Sequence, residues 1–289
     1  MEANDGTPRK DIVAASKRGR SHAHEGRPRD DDFKICHNVD NGWYVLAVAD
    51  GAGSARYSRQ GSKIAVETAS KFCTDALASQ GEFENVITAY HAQPDDTTRK
   101  PVADMIYRIV GTAAFRANRA IRDFQEQNNK DCTPKDFSTT LLLAICKKFD
   151  FGWFVASFWV GDGAMAIYNA DTQYLKVLGE PDGGEYAGQT RFLTMDSIFA
   201  NPTDIMKRLR FSIEDDFSAL MLMSDGVSDA KFETDANLNR IEKWNELWAD
   251  INSSVNLIDD NENSKEELLN WLDFWSPGNH DDRTIAILY

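Results

Sequence analysis

Positive charge is scarce in this chain: 32 Lys and Arg stand against 46 Asp and Glu, for a net charge of −14 across 289 residues. Nucleic acid and anionic membranes both select concentrated positive charge, so neither is expected as a partner. Cysteine is sparse as well. Cys36, Cys73, Cys132 and Cys146 are scattered without paired metal-ligand spacing, which argues against a disulfide framework and fits reduced thiols in a cytoplasmic protein. No apolar run reaches the roughly 18 residues of a membrane span. The polar start MEANDGTPRKD does not read as a signal peptide. An internal repeat and a domain-splitting linker are both lacking.

What is present points to a packed core. Apolar residues make up 42% of the chain, with seven Trp and sixteen Phe, too many for a disordered segment. Residues 1–10 read as a loose tail and 11–289 as one domain. A strand at Ile12–Ser16 leads into a basic loop, Lys17–Arg29. Phe33–Val39 and Trp43–Ala49 read as a hairpin across Asp40-Asn41-Gly42. Helical spacing marks Ser58–Ser79, with Gly81 suited to the stop, and a second helix starting near Pro101; His91–Lys100 between them reads as loop. Strands are expected at Ser138–Lys147, Trp153–Val160, Ala164–Asn169, Tyr174–Leu178, Ala219–Met223 and Arg283–Tyr289, and helices at Asn239–Ile251 and Lys265–Phe274. Residues 179–207, rich in Gly, Asp and Pro, read as a mobile flap. Strands at both ends with helices between them suggest layered sheets under covering helices.

Three of the strand-like runs end on the same dipeptide: Asp50-Gly51, Asp162-Gly163 and Asp225-Gly226. Asp-Gly is a turn signal, and each pair alone is more often a hairpin than a site. Two further acidic clusters, Asp30-Asp31-Asp32 and Asp281-Asp282, flank strands. Carboxylates held on several strand ends can build an all-oxygen cage for a hard cation such as Mg²⁺ or Mn²⁺. Part of the net negative charge then has a purpose.

The order of the motifs is more specific than any one of them. Gly19-Arg20-Ser21-His22, Asp30-Asp31-Asp32-Phe33, VLAVADGAGS, GSKIAVETA, STTLLLAI, VGDGAMAIY, LMLMSDGVSD and DDRTIAIL together resemble the metal-dependent protein serine/threonine phosphatases of type 2C, in particular their bacterial branch. The resemblance covers about residues 12–289. It implies an α+β fold, a four-layer α-β-β-α sandwich of two antiparallel sheets flanked by helices. It implies two Mn²⁺ or Mg²⁺ ions that bridge a water directed at phosphoserine or phosphothreonine. Asp50 would bridge both ions and the Gly51 carbonyl would hold one. Asp31, Asp225 and Asp281 would complete the set, Asp30 would act through water, and Asp162 would help hold a weaker third ion. Asp32 for Asp31 and Asp282 for Asp281 are alternative registers. The substrate would be a phosphoprotein made by a serine/threonine kinase, and the enzyme a cytoplasmic monomer.

The chain departs from the pattern in three places. Ala52 stands where eukaryotic members often carry a His proposed as general acid, which leaves His22 or His24 as candidates against the commoner role of a loop histidine. The phosphate-gripping Arg has three candidates, Arg27, Arg29 and Arg20, beside the plain reading of a solvated basic loop. Asp30 replaces the Gln, Glu or Asn of relatives. Ser138, Thr139 and Thr140 read as packing rather than nucleophiles, His280 as a loop histidine, and Trp244, Trp248, Trp271 and Trp275 as helix packing. Two rival classes stand beside the enzyme: a phosphatase-like regulatory or binding module with little turnover, and a metal-dependent nuclease, which the acidic surface disfavours.

Overall fold

The computed structural model describes residues 9–79, 81–128, 130–179, 181–182, 190–259 and 261–289. Its strands form two five-stranded sheets, antiparallel throughout. One sheet orders β1 (Ile12–Lys17), β10 (Arg283–Leu288), β9 (Ala219–Met223), β6 (Ala164–Asn169) and β7 (Tyr174–Val177). The other orders β2 (Asp32–Asn38), β3 (Trp43–Ala49), β4 (Leu141–Phe149), β5 (Gly152–Val160) and β8 (Leu209–Glu214). The α+β sandwich expected from the sequence is the observed architecture.

β3 shows why the sheets stack. All seven of its residues are buried, because successive side chains point to opposite faces and both faces are covered. Tyr44, Leu46 and Val48 enter the core between the sheets, beside Met165, Leu222 and Ile285. Trp43, Val45, Ala47 and Ala49 enter an outer core under α2 (Ser58–Leu77), α3 (Gly81–Ala92), α4 (Asp96–Ile106) and α5 (Thr112–Asn128). Ala65, Ala69 and Cys73 of α2 are fully buried there, small enough to bring the helix backbone close to the sheet. On the opposite side, α7 (Asp225–Phe232), α8 (Ile241–Asn252) and α9 (Ser264–Trp271) cover the first sheet. Trp244 is fully buried against Phe232, with ring centroids 4.8 Å apart, so the Trp-rich C-terminal region does pack helices. Trp275 is the exception, 66% exposed.

Several boundaries differ from expectation. The basic loop contains a short helix, α1 (Arg20–Glu25), closed by Gly26 at φ 72°. Gly81 opens α3 instead of ending α2, and His91–Lys100 is largely helical. Asp95 explains the second start: its carboxylate accepts from the backbone N–H groups of Thr97 and Thr98 at 2.9 and 3.0 Å. That cap sets the beginning of α4 and leaves Pro101 inside the helix. One π-helical turn, Tyr107–Gly111, then joins α4 to α5. Of the expected flap, residues 180 and 183–189 lie outside the described residues, as do 1–8 of the expected tail. The rest of the flap is anchored: it holds a short helix α6 (Pro202–Met206), and Leu193 donates its N–H to Thr139 O at 2.8 Å. Among the described residues, no helix is long and apolar enough to cross a membrane.

Candidate metal centre

None of the three Asp-Gly pairs closes a hairpin. β3 pairs with β2 and β4, β5 with β4 and β8, and β9 with β10 and β6. Asp50-Gly51 instead carries the chain from β3 toward α2. Asp162-Gly163 passes it from one sheet to the other, and Asp225-Gly226 begins α7. Three separate exits thus deliver three carboxylates to one edge of the sandwich. One oxygen each from Asp50, Asp162 and Asp225 lies within 4.8 Å of the others.

Glycine after aspartate is required by close approach. A Cβ at Gly51 would stand 2.7 Å from the Asp30 carbonyl oxygen and 2.8 Å from the Ser58 carbonyl carbon, so no larger residue fits between the first acidic cluster and α2.

The doubled aspartates separate cleanly. Asp31 is buried; its Oδ2 accepts from Ser224 Oγ at 2.8 Å and from Thr284 Oγ1 at 2.6 Å, while its Oδ1 is buried without a hydrogen-bond partner. Asp32 starts β2 and caps its own strand, accepting from Phe33 N at 2.9 Å. Asp282 is buried and works as a brace. It accepts from Gly19 N at 2.6 Å, Asp30 N at 2.5 Å and His22 Nδ1 at 3.0 Å, tying the first loop to the final strand. Asp281 is exposed, and its charge acts on Asp162 and Asp225. Asp31 therefore faces the cluster, with Asp32 and Asp282 supporting, while Asp281 groups with His22 and Asp282, one ligand atom from each lying within 4.8 Å of the others.

Burial and crowding raise these carboxylates. Desolvation, then the charge of Asp282, pushes Asp31 up to about 7. Desolvation, then the charges of Asp162, Asp281 and Asp31, takes Asp225 to about 8. Asp50 is raised well above the ordinary carboxylate range, by burial first and next by Asp225 and Asp31. Asp225 Oδ1, like Asp31 Oδ1, is buried without a hydrogen-bond partner. Buried acceptors without donors and mutually repelling carboxylates are both relieved by a hard divalent cation. The residues present fit one.

Ser138, Thr139 and Thr140 hold the centre together rather than attack a substrate. Thr140 Oγ1 accepts from Asp50 N at 2.8 Å, and Asp50 O accepts from Thr140 N at 2.8 Å and Thr139 Oγ1 at 2.9 Å. Thr140→Val keeps the shape and removes one side of this clamp. We expect a loss of about 10-fold in turnover and about 1–2 kcal/mol in stability, read from kcat and from the thermal midpoint. A kcat unchanged in T140V would remove Thr140 from the positioning of Asp50.

Some functional positions were not visible in the sequence. Asp229 lies one helical turn beyond Asp225, a spacing that carries meaning only once α7 is known to begin there. It is raised to about 6 by burial, then by Asp162, Asp235 and Asp281. Thr190 donates its hydroxyl to Asp162 Oδ2. Ser224 and Thr284 serve Asp31 from 193 and 253 residues away in the chain, a pairing that no local motif announces.

The arginines also sort themselves. Arg29 donates Nε to Asp31 O at 2.9 Å and Nη1 to Ser16 O at 3.0 Å, with Nη2 3.7 Å from Asp32 Oδ1, so its fork is engaged within the protein. Arg20 leans over Trp275, 4.9 Å from the ring centre, and bonds Asp273 O. Arg27 remains beside the acidic cluster, donating Nη2 to Asp30 Oδ2 at 2.9 Å. His22 is buried between Asp282 and Asp30, 3.9 Å from the latter.

A sandwich of two antiparallel sheets, with aspartates from five chain segments gathered at one edge, is the arrangement of a metal-dependent phosphatase domain. The family model for Protein phosphatase 2C matches residues 18–273, and the chain belongs to that family of protein serine/threonine phosphatases. Among solved structures it resembles the S. agalactiae serine/threonine phosphatase, with 14% identity, coverage of 97% of this chain and 99% of the other, and a TM-score of 0.56. The serine/threonine phosphatase of Staphylococcus aureus matches at 14% identity over 100% and 96% of the chains, TM-score 0.51. PppA of Pseudomonas aeruginosa matches at 13% identity over 97% of each, TM-score 0.52. At such identities the likeness is one of fold. No curated protein matches the sequence.

Proposed function

We propose that this protein hydrolyses phosphoserine or phosphothreonine on a protein modified by a serine/threonine kinase, with two Mn²⁺ or Mg²⁺ ions held by Asp31, Asp50, the Gly51 carbonyl, Asp225 and Asp281. Asp30 borders that set, and Asp162 with Asp229 offers room for a third ion. The observation that carries the reading is the pair of buried, donorless oxygens, Asp31 Oδ1 and Asp225 Oδ1, inside a cluster of raised carboxylates. Bound there, the cations would lower the pKa of a water and offset charge developing on the phosphoryl oxygens. Four free thiols support a reducing, cytoplasmic setting.

The chain's own residues supply orientation. Arg27 holds Nη2 on Asp30 and on Gly53 O at 3.1 Å, and its Nη1 meets only the exposed Glu25 carboxylate at 3.6 Å, a weak solvent-screened pair that a phosphate can replace. Arg29 braces the backbone of Asp31 instead. Ala52, whose N–H is bonded to Ser138 O at 3.0 Å, offers no proton. His22 positions Asp282 and Asp30 from beneath. Arg27→Ala should cost about 10- to 100-fold in kcat/KM on a phosphoserine peptide, the equivalent of one lost charge-assisted contact. Arg29→Ala should instead lower the thermal midpoint. Equal kinetic losses in both variants would contradict this division of labour.

The decisive experiment is hydrolysis of p-nitrophenyl phosphate and a phosphoserine peptide with manganese and with chelator. Manganese-dependent release of phosphate from both is expected. Manganese binding without any turnover would replace the enzyme reading with that of a regulatory module.

A further inference from the structure

A groove of about 390 Å³ opens beside the aspartate cluster, between the first loop and the start of α2. Asp30 and Arg27 form its inner end, and Arg56, Tyr57, Arg59 and Lys63 line its length. In a chain with a net charge of −14, four cations along one groove are a marked local reversal. Arg59 and Lys63 are one turn apart on α2 and share a face, and Arg56, in the turn just before the helix, lines the same groove. All three are exposed. Arg56 lies over Tyr57, 5.1 Å from its ring. Among the described residues, Arg59 and Lys63 make no ion pair, although many surface cations elsewhere do, such as Lys71 with Asp75 at 2.7 Å. The amino-terminal end of α2 adds its own partial positive charge to the same groove.

Lone surface cations are normally solvated and mean nothing. Here the groove is continuous with the site: its inner wall is Asp30, whose carbonyl accepts from Ser62 Oγ at 2.5 Å, so α2 and the acidic cluster are physically joined. A phosphoryl group held by Arg27 would place the neighbouring residues of its own chain along Arg56, Arg59 and Lys63. Resting on the phosphatase reading, we propose that this groove binds an acidic segment flanking the phosphorylated residue and gives the enzyme a preference for acidic phosphopeptides. The cations are spread along the groove rather than gathered at a point, which suits several carboxylates of an extended peptide.

The test uses the full chain with manganese and three substrates: p-nitrophenyl phosphate, a phosphoserine peptide with Glu on both sides, and the same peptide with Ala replacing Glu. The double variant Arg59→Glu, Lys63→Glu changes only exposed side chains. It should reduce kcat/KM on the acidic peptide by about 10-fold or more, mainly through KM. Hydrolysis of p-nitrophenyl phosphate and of the Ala peptide should stay within about twofold. The wild-type advantage for the acidic peptide should shrink as salt rises. Equal effects on the two peptides, or none, would overturn the groove while leaving the phosphatase reading in place. If the wild type hydrolyses nothing, the phosphatase reading fails, and anisotropy of the labelled acidic peptide then decides the groove: weaker binding to the double variant upholds it, equal binding rejects it.

Discussion

Replacing Asp50 by Asn is expected to reduce manganese-dependent turnover by about 10²- to 10³-fold while the protein stays folded. Asp50 combines three properties: its backbone is clamped on both sides by Thr139 and Thr140, its carboxylate lies against Asp162 and Asp225, and its pKa is raised by burial and by Asp225 and Asp31. The amide is nearly the same size and leaves the clamp intact, so packing is preserved. What disappears is one negative charge at the centre of the cation site, comparable in electrostatic weight to the loss of a main stabilising group in other active sites. A second readout separates chemistry from folding. Without metal, the Asp50→Asn protein should melt at a higher temperature than wild type near pH 8, because the cost of burying that carboxyl beside Asp225 and Asp31 is gone. Asp225→Asn should behave alike. Wild-type turnover under saturating manganese in either variant would sink the assignment of that residue.

The site was legible where rigid strand ends carried it and illegible where support came from elsewhere. Asp50, Asp162 and Asp225 stand out because each follows an apolar run and precedes a glycine that close packing demands. The doubled aspartates could not be separated in sequence, since neighbours differ only in which way the backbone turns them. Only the structure shows Asp31 directed inward by Ser224 and Thr284 and Asp282 bonded to Gly19, His22 and Asp30. Strand β8 carries a clear alternation, Leu209, Phe211 and Ile213 toward the outer core, yet it follows directly on the Gly-, Asp- and Pro-rich stretch 179–207, and no strand is expected between that stretch and Ala219. Helix α7 was hidden for a related reason. Asp-Gly is a turn signal in isolation, but Ser224 before it, with Asp225 in the first turn, is equally a helix start. Local chemistry allowed both, and the tertiary position of β9 decided between them.

The metal-free protein should lose stability as pH rises from about 5 to 8.5, and manganese should reverse that trend. Asp31 and Asp225 rise from the ordinary 3.8 to about 7 and about 8 on folding. Between about pH 4 and 8 the folded chain therefore holds more protons than the unfolded chain, and the slope of stability with pH is negative. Below the ordinary carboxylate range both states are protonated at these positions and no penalty exists. Through the folded values the penalty grows to the order of several kcal/mol. Cation binding works in the opposite sense, because it needs the carboxylates ionised and selects the folded chain. At a free concentration of 100 Kd it adds about 2.7 kcal/mol per site, or about 5–10 °C in a chain of this size. The manganese-induced rise in melting temperature should thus be large at pH 8 and small at pH 5. In the Asp50→Asn, Asp225→Asn double variant both the pH slope and the manganese gain should flatten together. A metal-free melting temperature that climbs toward pH 8, or a manganese gain unchanged by the double variant, would show that these carboxylates are not the coupled group that the cation relieves.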